Sequence, residues 1–389
     1  MKPAKHADFS QRCVECSRDY DAGNHVTRCL CGGLVTFEYN LDSLHWPPAR
    51  KIKSIMRYAP FLPILKKSHL IKAPETRFPT PLHRSKRLGN FLGLRNLWIK
   101  DETKNPTKTF KVRDALVTIS RFQELGVTEF VMSSTGNTAR AFSHVMPLAR
   151  THMACHIFFP EWAVVDLESK RKTDIEAIVV HDDYNKTIET ARQYSQETGI
   201  TLEGGFSNPC RIEANKTIAY EIEESGLEPD WYVQAVTTGS GVYGFYKGYN
   251  ELHSMSVADS IPKILCVQPE RCAPMVTAFK GGREEIASMD VVPHPDTFAT
   301  TLTNGNPAFS YPYIRRAVLD TKGTFESVSE RDIAHAFLLL TKLEGMIVDP
   351  AAATALAGII KASGNGVIEK DESVVLNVSG GLSLDSRGL

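Results

Sequence analysis

The chain has 389 residues, 42% hydrophobic and 23% charged, the make-up of an ordinary soluble globular protein with a large core. Basic and acidic residues balance at 45 each, so no basic footprint favours nucleic acid or an anionic membrane. No uninterrupted apolar run is long enough to span a bilayer, and Met1-Lys2-Pro3-Ala4-Lys5-His6 lacks the apolar stretch of a secretion signal, so the cytoplasm is the expected compartment.

Four of the eight cysteines fall early, as Cys13, Cys16, Cys29 and Cys31. Two close thiolate pairs brought together make a tetrahedron, so residues 1–45 read as a Cys-rich, zinc-ribbon-like module. The second pair has one intervening residue where two is usual, and His25 can replace a ligand. Disulfides are the competing reading, although a cytosolic chain keeps its thiols reduced. Cys155, Cys210, Cys266 and Cys272 are scattered and read as buried or inert. Asp42 to about Ile71 is an extension with Trp46-Pro47-Pro48 and Phe61-Leu62-Pro63, to which the sequence assigns no function.

From Asn96 the chain alternates short apolar runs with helical patterns. Leu116, Ile119 and Phe122 repeat at helical spacing and Gly126 ends that helix. Phe130 to Met132 reads as a strand, followed by a polar loop and a helix from about Thr138 to Arg150. Further strands are expected at Ala154 to Phe159, Ala177 to Val180, Trp231 to Val236, Ile264 to Val267 and Val374 to Val378. A helix is expected from about Asn185 to Gln196, and Ser329 can cap another ending near Leu343. Such alternation argues for an α/β fold with mostly parallel sheets.

Lys111 sits just past a polar turn, at the expected start of a helix. Asn105-Pro106 ends an extended run, and Thr107 or Thr109 can cap the helix beyond it. A lysine held there can form an imine with a carbonyl cofactor if its ammonium is desolvated enough to lose a proton. Later, Gly239-Ser240-Gly241 separates a strand from a helix, so its backbone N–H groups can point at a phosphate. The bland alternatives are a solvated surface lysine and a flexible turn.

Five blocks in order weigh against those alternatives. Lys100-Asp101-Glu102 with Asn105-Pro106-Thr107-Lys108-Thr109-Phe110-Lys111-Val112-Arg113 resembles the lysine motif of threonine synthases and their pyridoxal-phosphate relatives of the tryptophan-synthase-β fold type. Thr80-Pro81-Leu82 is similar to the family's entry motif, and Ser134-Thr135-Gly136-Asn137-Thr138 to its substrate loop. Asn208-Pro209 with Arg211, Glu213, Lys216 and Thr217 resembles a fourth block. Thr238-Gly239-Ser240-Gly241-Val242 with Lys247-Gly248-Tyr249 resembles the cofactor-phosphate loop and its helix. The similarity runs from about Thr80 to Leu382, and the Cys-rich head resembles a knuckle found in some threonine-synthase relatives.

The resemblance implies fold type II: two open-sheet α/β domains behind the Cys-rich module. The large domain is expected over 46–111 and 215–389 and the small one over 112–214. It implies pyridoxal 5'-phosphate joined to Lys111, with Asn137, Thr238, Gly239, Ser240, Gly241, Val242 and Ser379 as further cofactor contacts. Ser134, Thr135 and Thr138 are expected at the substrate, structural zinc at Cys13, Cys16, Cys29 and Cys31, and a homodimer as the assembly; Lys108, outside the family pattern, either adds a charge for the substrate's phosphate or points to solvent. The implied reaction is elimination-replacement on an O-phosphorylated amino acid.

Several positions depart from the family pattern. Lys108 stands where glycine is usual, and Val112 where an aspartate is usual that would help orient Arg113. Gln234-Ala235-Val236 and Ser379-Gly380-Gly381 lean towards the cysteate-synthase branch, whereas Gly305-Asn306-Pro307 is a threonine-synthase feature. The rival readings are a dehydratase that stops at elimination, and an inactive relative acting through its Cys-rich head. Retention of Lys111 argues against the second.

Overall fold

A computed structural model describes residues 9–48, 50–73, 75–76, 78–163 and 174–382. The stretch Met1 to His6, which lacks the apolar run of a secretion signal, lies outside them. The described residues begin with β1 (Phe9–Cys13), β2 (Asp19–Tyr20) and β3 (Val35–Tyr39), an antiparallel sheet in the order β2-β1-β3. Phe9, Gln11 and Cys13 face inward while Ser10 is exposed, the alternation of a strand with one covered face.

The main body begins with β4 (Leu82–Arg84), α1 (Lys86–Leu92), β5 (Asn96–Asp101) and α2 (Lys111–Leu125). Next come β6 (Glu129–Ser133), α3 (Asn137–Val145), β7 (Ala154–Pro160), β8 (Asp174–Val180), α4 (Tyr184–Thr198), β9 (Thr201–Leu202) and α5 (Pro209–Glu224). The third part holds β10 (Trp231–Ala235), α6 (Ser240–Ser254), β11 (Lys263–Pro269), α7 (Pro274–Lys280), α8 (Tyr311–Asp320) and β12 (Thr324–Val328). It ends with α9 (Glu330–Leu339), α10 (Pro350–Gly364) and β13 (Ser373–Val378).

These strands make two open sheets. One has six strands in the order β12-β11-β10-β13-β5-β4, all parallel except β4. The other has four parallel strands in the order β8-β7-β6-β9. Every residue of β10 is buried, as expected of a strand covered on both faces. The last strand, β13, lies between β10 and β5. Three neighbouring carboxyl ends therefore deliver the glycine turn, Ser379 and the loop to Lys111 to one edge, where open α/β sheets bind ligands. Among the described residues, no helix is long and apolar enough to cross a membrane.

A buried ionic cluster fixes that loop against α5. The Arg113 guanidinium forks onto Glu102 at 3.0 and 2.8 Å, and its Nη1 donates to Glu221 at 2.6 Å and Thr217 at 2.8 Å. Lys100 donates to Glu221 at 2.5 Å and to the Thr80 carbonyl at 2.7 Å. Arg113 thus takes its orientation from Glu102 and Glu221, and position 112 carries a buried valine with no carboxylate needed there.

Three local expectations change. The helix expected to Arg150 ends at Val145, and Met146–Leu148 tighten into a 3-10 turn, because Pro147 has no N–H to continue the ladder. The Ser329-capped helix reaches Leu339 and then widens into a π-turn over Leu340–Glu344. The residue before α2 is Phe110 rather than a threonine; Thr109 Oγ1 accepts only a long bond, 3.4 Å, from Lys111 N, and the Thr107 hydroxyl is buried without a partner among the described residues.

Candidate active site

Lys111 is the first residue of α2, and its side chain is 18% exposed. Its Nζ stands 3.1 Å from Asp114 Oδ2, 3.5 Å from Ser240 Oγ and 4.1 Å from the centre of the Phe110 ring. Burial pushes the Lys111 amine below the ordinary lysine range; Asp114 opposes that shift and Arg211 adds to it. A lysine with a lowered pKa keeps more free amine near neutrality, which imine formation requires. The lysine and the glycine turn, 129 positions apart in sequence, meet at this point.

Gly239 has φ +85° and directly precedes α6. A methyl on Gly239 would lie 2.6 Å from Ile314 Cδ1, and one on Gly241 would lie 2.4 Å from Gln234 Nε2. Glycine is unstrained at the φ of residue 239, a methyl at 241 would have to displace the Gln234 amide, and the first N–H groups of α6 have no helical acceptors and the helix dipole behind them. Thr238 is partly buried in the same turn, and Val242 is fully buried on the first turn of α6. Thr237 Oγ1 accepts from the Asn304 N–H at 3.3 Å, which seats the Asn304-Gly305-Asn306 loop beside it.

The other predicted residues reach the site through main-chain ties. Ser379 is buried, and its carbonyl accepts from Phe110 N at 3.1 Å and Thr109 Oγ1 at 3.3 Å. Gly381 N donates to the Lys108 carbonyl at 2.7 Å. Lys108 itself is exposed and takes φ +58°, the left-handed region in which glycine is unstrained. Asn137 opens α3, and its Nδ2 stands 3.5 Å from Asp349 Oδ2. Asp349 N in turn donates to the Gly380 carbonyl at 2.9 Å, so the loop after β6 joins the turn after β13. The Ser134 hydroxyl accepts from Gly136 N and Ala139 N, both at 3.0 Å, so it caps the start of α3. Thr135 and Thr138 are partly buried on either side of Asn137.

At the head, the sulfurs of Cys13, Cys16, Cys29 and Cys31 all lie within 4.8 Å of one another, with Cys13–Cys31 at 3.6 Å and Cys16–Cys29 at 3.5 Å. A tetrahedron with metal–sulfur bonds of about 2.3 Å has edges of about 3.8 Å, so the four thiols fit one zinc ion despite the short second spacing. All four are free thiols, so the disulfide reading fails. His25 is no ligand. It turns away, with Nε2 3.3 Å from the Leu202 carbonyl and its ring edge-on to Phe122. Cys155, Cys210, Cys266 and Cys272 are buried, as expected.

Sequence reasoning missed three carboxylates. Asp114 lies one helical turn after Lys111, a spacing that could have revealed it. Glu203 grips Arg211 at 2.6 and 2.5 Å but carries no local signal, since it comes directly after the two-residue strand β9. Asp349 caps α10 by accepting from Ala351 N at 2.8 Å, which its place before Pro350 signals.

The pattern of the family described as pyridoxal-phosphate dependent enzyme matches residues 74–380. The chain is 31% identical to the threonine synthase of Methanocaldococcus jannaschii over 381 residues, covering 95% of this chain and 91% of that one. It is 28% identical to the cysteate synthase of Methanosarcina acetivorans over 391 residues, covering 96% and 92%. Among solved structures, the processed threonine deaminase isoform 2 from Solanum lycopersicum superposes with a TM-score of 0.65 at 19% identity, over 78% of this chain and 84% of that one, a likeness of fold. By these matches the chain belongs to the pyridoxal-phosphate-dependent enzyme family, in its threonine synthase group.

Proposed function

We propose that the chain is a pyridoxal-phosphate-dependent lyase that replaces the phosphate of an O-phosphorylated amino acid, converting O-phosphohomoserine and water to threonine and phosphate. The observation that carries this reading is the 3.5 Å approach of Lys111 Nζ to Ser240 Oγ, a desolvated amine beside a helix start whose preceding residue, Gly239, takes a left-handed φ. An aldehyde bearing a phosphate fits such a pair.

When bound, pyridoxal phosphate supplies an aldehyde that captures amines and a ring that spreads the electron pair left at the substrate α-carbon. Lys111 Nζ is the amine that holds it. The N–H groups of Ser240, Gly241 and Val242 hold its phosphate, and Thr238 and Gly239 shape the turn. Asn137 and Ser379 are assigned to its ring by the family resemblance. Ser379 offers a neutral hydroxyl and not a carboxylate, which suits loss of a leaving group better than transamination. Ser134, Thr135 and Thr138, at the N-terminus of α3, are assigned to the substrate carboxylate, and Lys108 to its phosphate. Once released, Lys111 Nζ takes the proton from the substrate α-carbon.

The match to a cysteate synthase, together with Ser379-Gly380-Gly381, favours a second reading: replacement at the β-carbon of O-phosphoserine by sulfite or another nucleophile. A dehydratase that stops at elimination is the third. A zinc ion at the four cysteines, a cytoplasmic homodimer, and a small domain over 112–214 within a large one over 46–111 and 215–389 belong to the same proposal. In support, the four-stranded sheet uses residues 129–202 and the six-stranded sheet uses strands on both sides of that span.

The test is phosphate release by the purified, cofactor-loaded protein from O-phosphohomoserine, and from O-phosphoserine with and without sulfite, with product masses. Threonine from the first substrate supports the leading reading. Cysteate from the second supports the alternative, and release with only keto-acid products means a lyase that stops at elimination. No release from either substrate refutes both replacement readings, and keto acid from unphosphorylated serine or threonine would then identify a dehydratase.

A further inference from the structure

Asp114 is a buried carboxylate that the assigned roles leave unused. Its side chain has no exposure, and Oδ1 has no hydrogen-bond partner among the described residues. Its other oxygen, Oδ2, has two cations near it: Lys111 Nζ at 3.1 Å and Arg211 Nη1 at 3.9 Å. Arg211 is already bonded through two nitrogens to Glu203, so its closer carboxylate lies elsewhere. Lys111 is then the cation that Asp114 is free to serve. A carboxylate in the first turn of α2 also meets the positive end of the helix dipole, but that benefit is available to an exposed side chain and requires no contact with a lysine. Burying a charge with one oxygen unpaired is costly, and such an arrangement persists where the charge has a partner or a task.

We propose that Asp114 is a positioning residue that keeps Lys111 Nζ at the glycine turn and stabilises the protonated form of that nitrogen once it has taken up a proton. The inference rests on the reading of Lys111 as the lysine that carries the cofactor. When Nζ takes the substrate α-proton it gains a positive charge, and Asp114 Oδ2 lies one hydrogen bond away to meet that charge. The proton stays on nitrogen, available for return. Among the described residues, the ionisable groups facing the pair are Asp114 on α2 itself, Arg211 on α5, Glu203 behind Arg211, and the Tyr184 phenol of α4 beside those two, while α6 contributes the neutral Ser240. With Arg211 and Glu203 bound to each other, Asp114 is the carboxylate that decides how readily Nζ holds a proton.

The experiment is a pH titration of the visible absorbance of the cofactor-loaded protein, comparing wild type with Asp114→Asn, Asp114→Ser and Asp114→Glu. A carboxylate beside a nitrogen favours its protonated form. Its removal in Asp114→Asn therefore moves the midpoint down by about 1–3 pH units, and Asp114→Glu restores most of the shift. Asparagine keeps the volume of the side chain and serine reduces it, so whichever variant folds gives the reading. A midpoint unchanged in a variant whose Lys111 still carries the borohydride-reducible adduct overturns the inference and leaves the proposed function standing. Absence of that adduct from wild-type Lys111 overturns both.

Discussion

Substitution of Gly239 by alanine tests the phosphate turn, and the geometry sets its cost. An L-residue at φ +85° costs about 1–2 kcal/mol more than glycine. The new methyl would lie 2.6 Å from Ile314 Cδ1 and 2.7 Å from Ile314 Cγ1, and Ile314 is fully buried on α8. Forcing an added methyl into such packing costs about 1–3 kcal/mol. The sum, about 2–5 kcal/mol, is divided between lost stability and displacement of the start of α6. Urea unfolding reads the first part, and a pyridoxal-phosphate titration reads the second as a loss of affinity of at least about tenfold. Ile314→Ala removes both clashing carbons and costs stability on its own, about 2–5 kcal/mol. In the double variant the overlap is gone and only the backbone strain remains. The double variant should therefore be more stable than the sum of the two single effects predicts, by at least about 1 kcal/mol. Strict additivity, together with an unchanged affinity for pyridoxal phosphate, would refute the reasoning.

Other consequences concern charge and metal. Burial alone would raise the Glu221 carboxyl, but Arg113 and Lys100 hold it down to about 2, below the unfolded value of 4.5. Its contribution is therefore complete above pH 4.5 and is lost as pH falls towards 2. Glu221→Gln should cost about 3–5 kcal/mol at neutral pH, because two buried cations lose a partner. The variant's urea midpoint should also fall less steeply than that of wild type through this acid range; parallel curves would contradict the assignment. Elemental analysis of the purified protein should find about one zinc per chain, lost in Cys29→Ser and accompanied by a lower melting temperature. Metal-free protein of unchanged stability would remove zinc from the account.

Much of this arrangement was legible in the residues. The strands around the site announce themselves because β6, β7, β10 and β13 are apolar runs bounded by turn signals, and Lys111 and the glycine turn follow the carboxyl ends of β5 and β10, the strands on either side of β13. Other parts were less visible. The helix α10 is alanine-rich and buried on nearly every side, so it has no polar face to give a 3.6-residue period. Three-residue β4 is an edge strand, exposed at two of its positions, and pairing with β5 defines it more than its own sequence does. The role of Ser134 as a cap was readable from Ser-Thr-Gly-Asn-Thr, whereas the link from Asn137 to Asp349 spans 212 positions and exists only once the sheets are assembled. Asp114 is marked in the sequence only by its spacing from Lys111, because acidic residues in the first turn of a helix are common and most of them face water.

The most direct measurement is borohydride reduction of the protein loaded with pyridoxal phosphate, followed by peptide mapping by mass spectrometry. Wild type should carry the reduced pyridoxyl group on the peptide containing Lys111, and Lys111→Ala should carry none there or elsewhere. A stable adduct on a different lysine, or the same amount of adduct in Lys111→Ala, would contradict the central assignment.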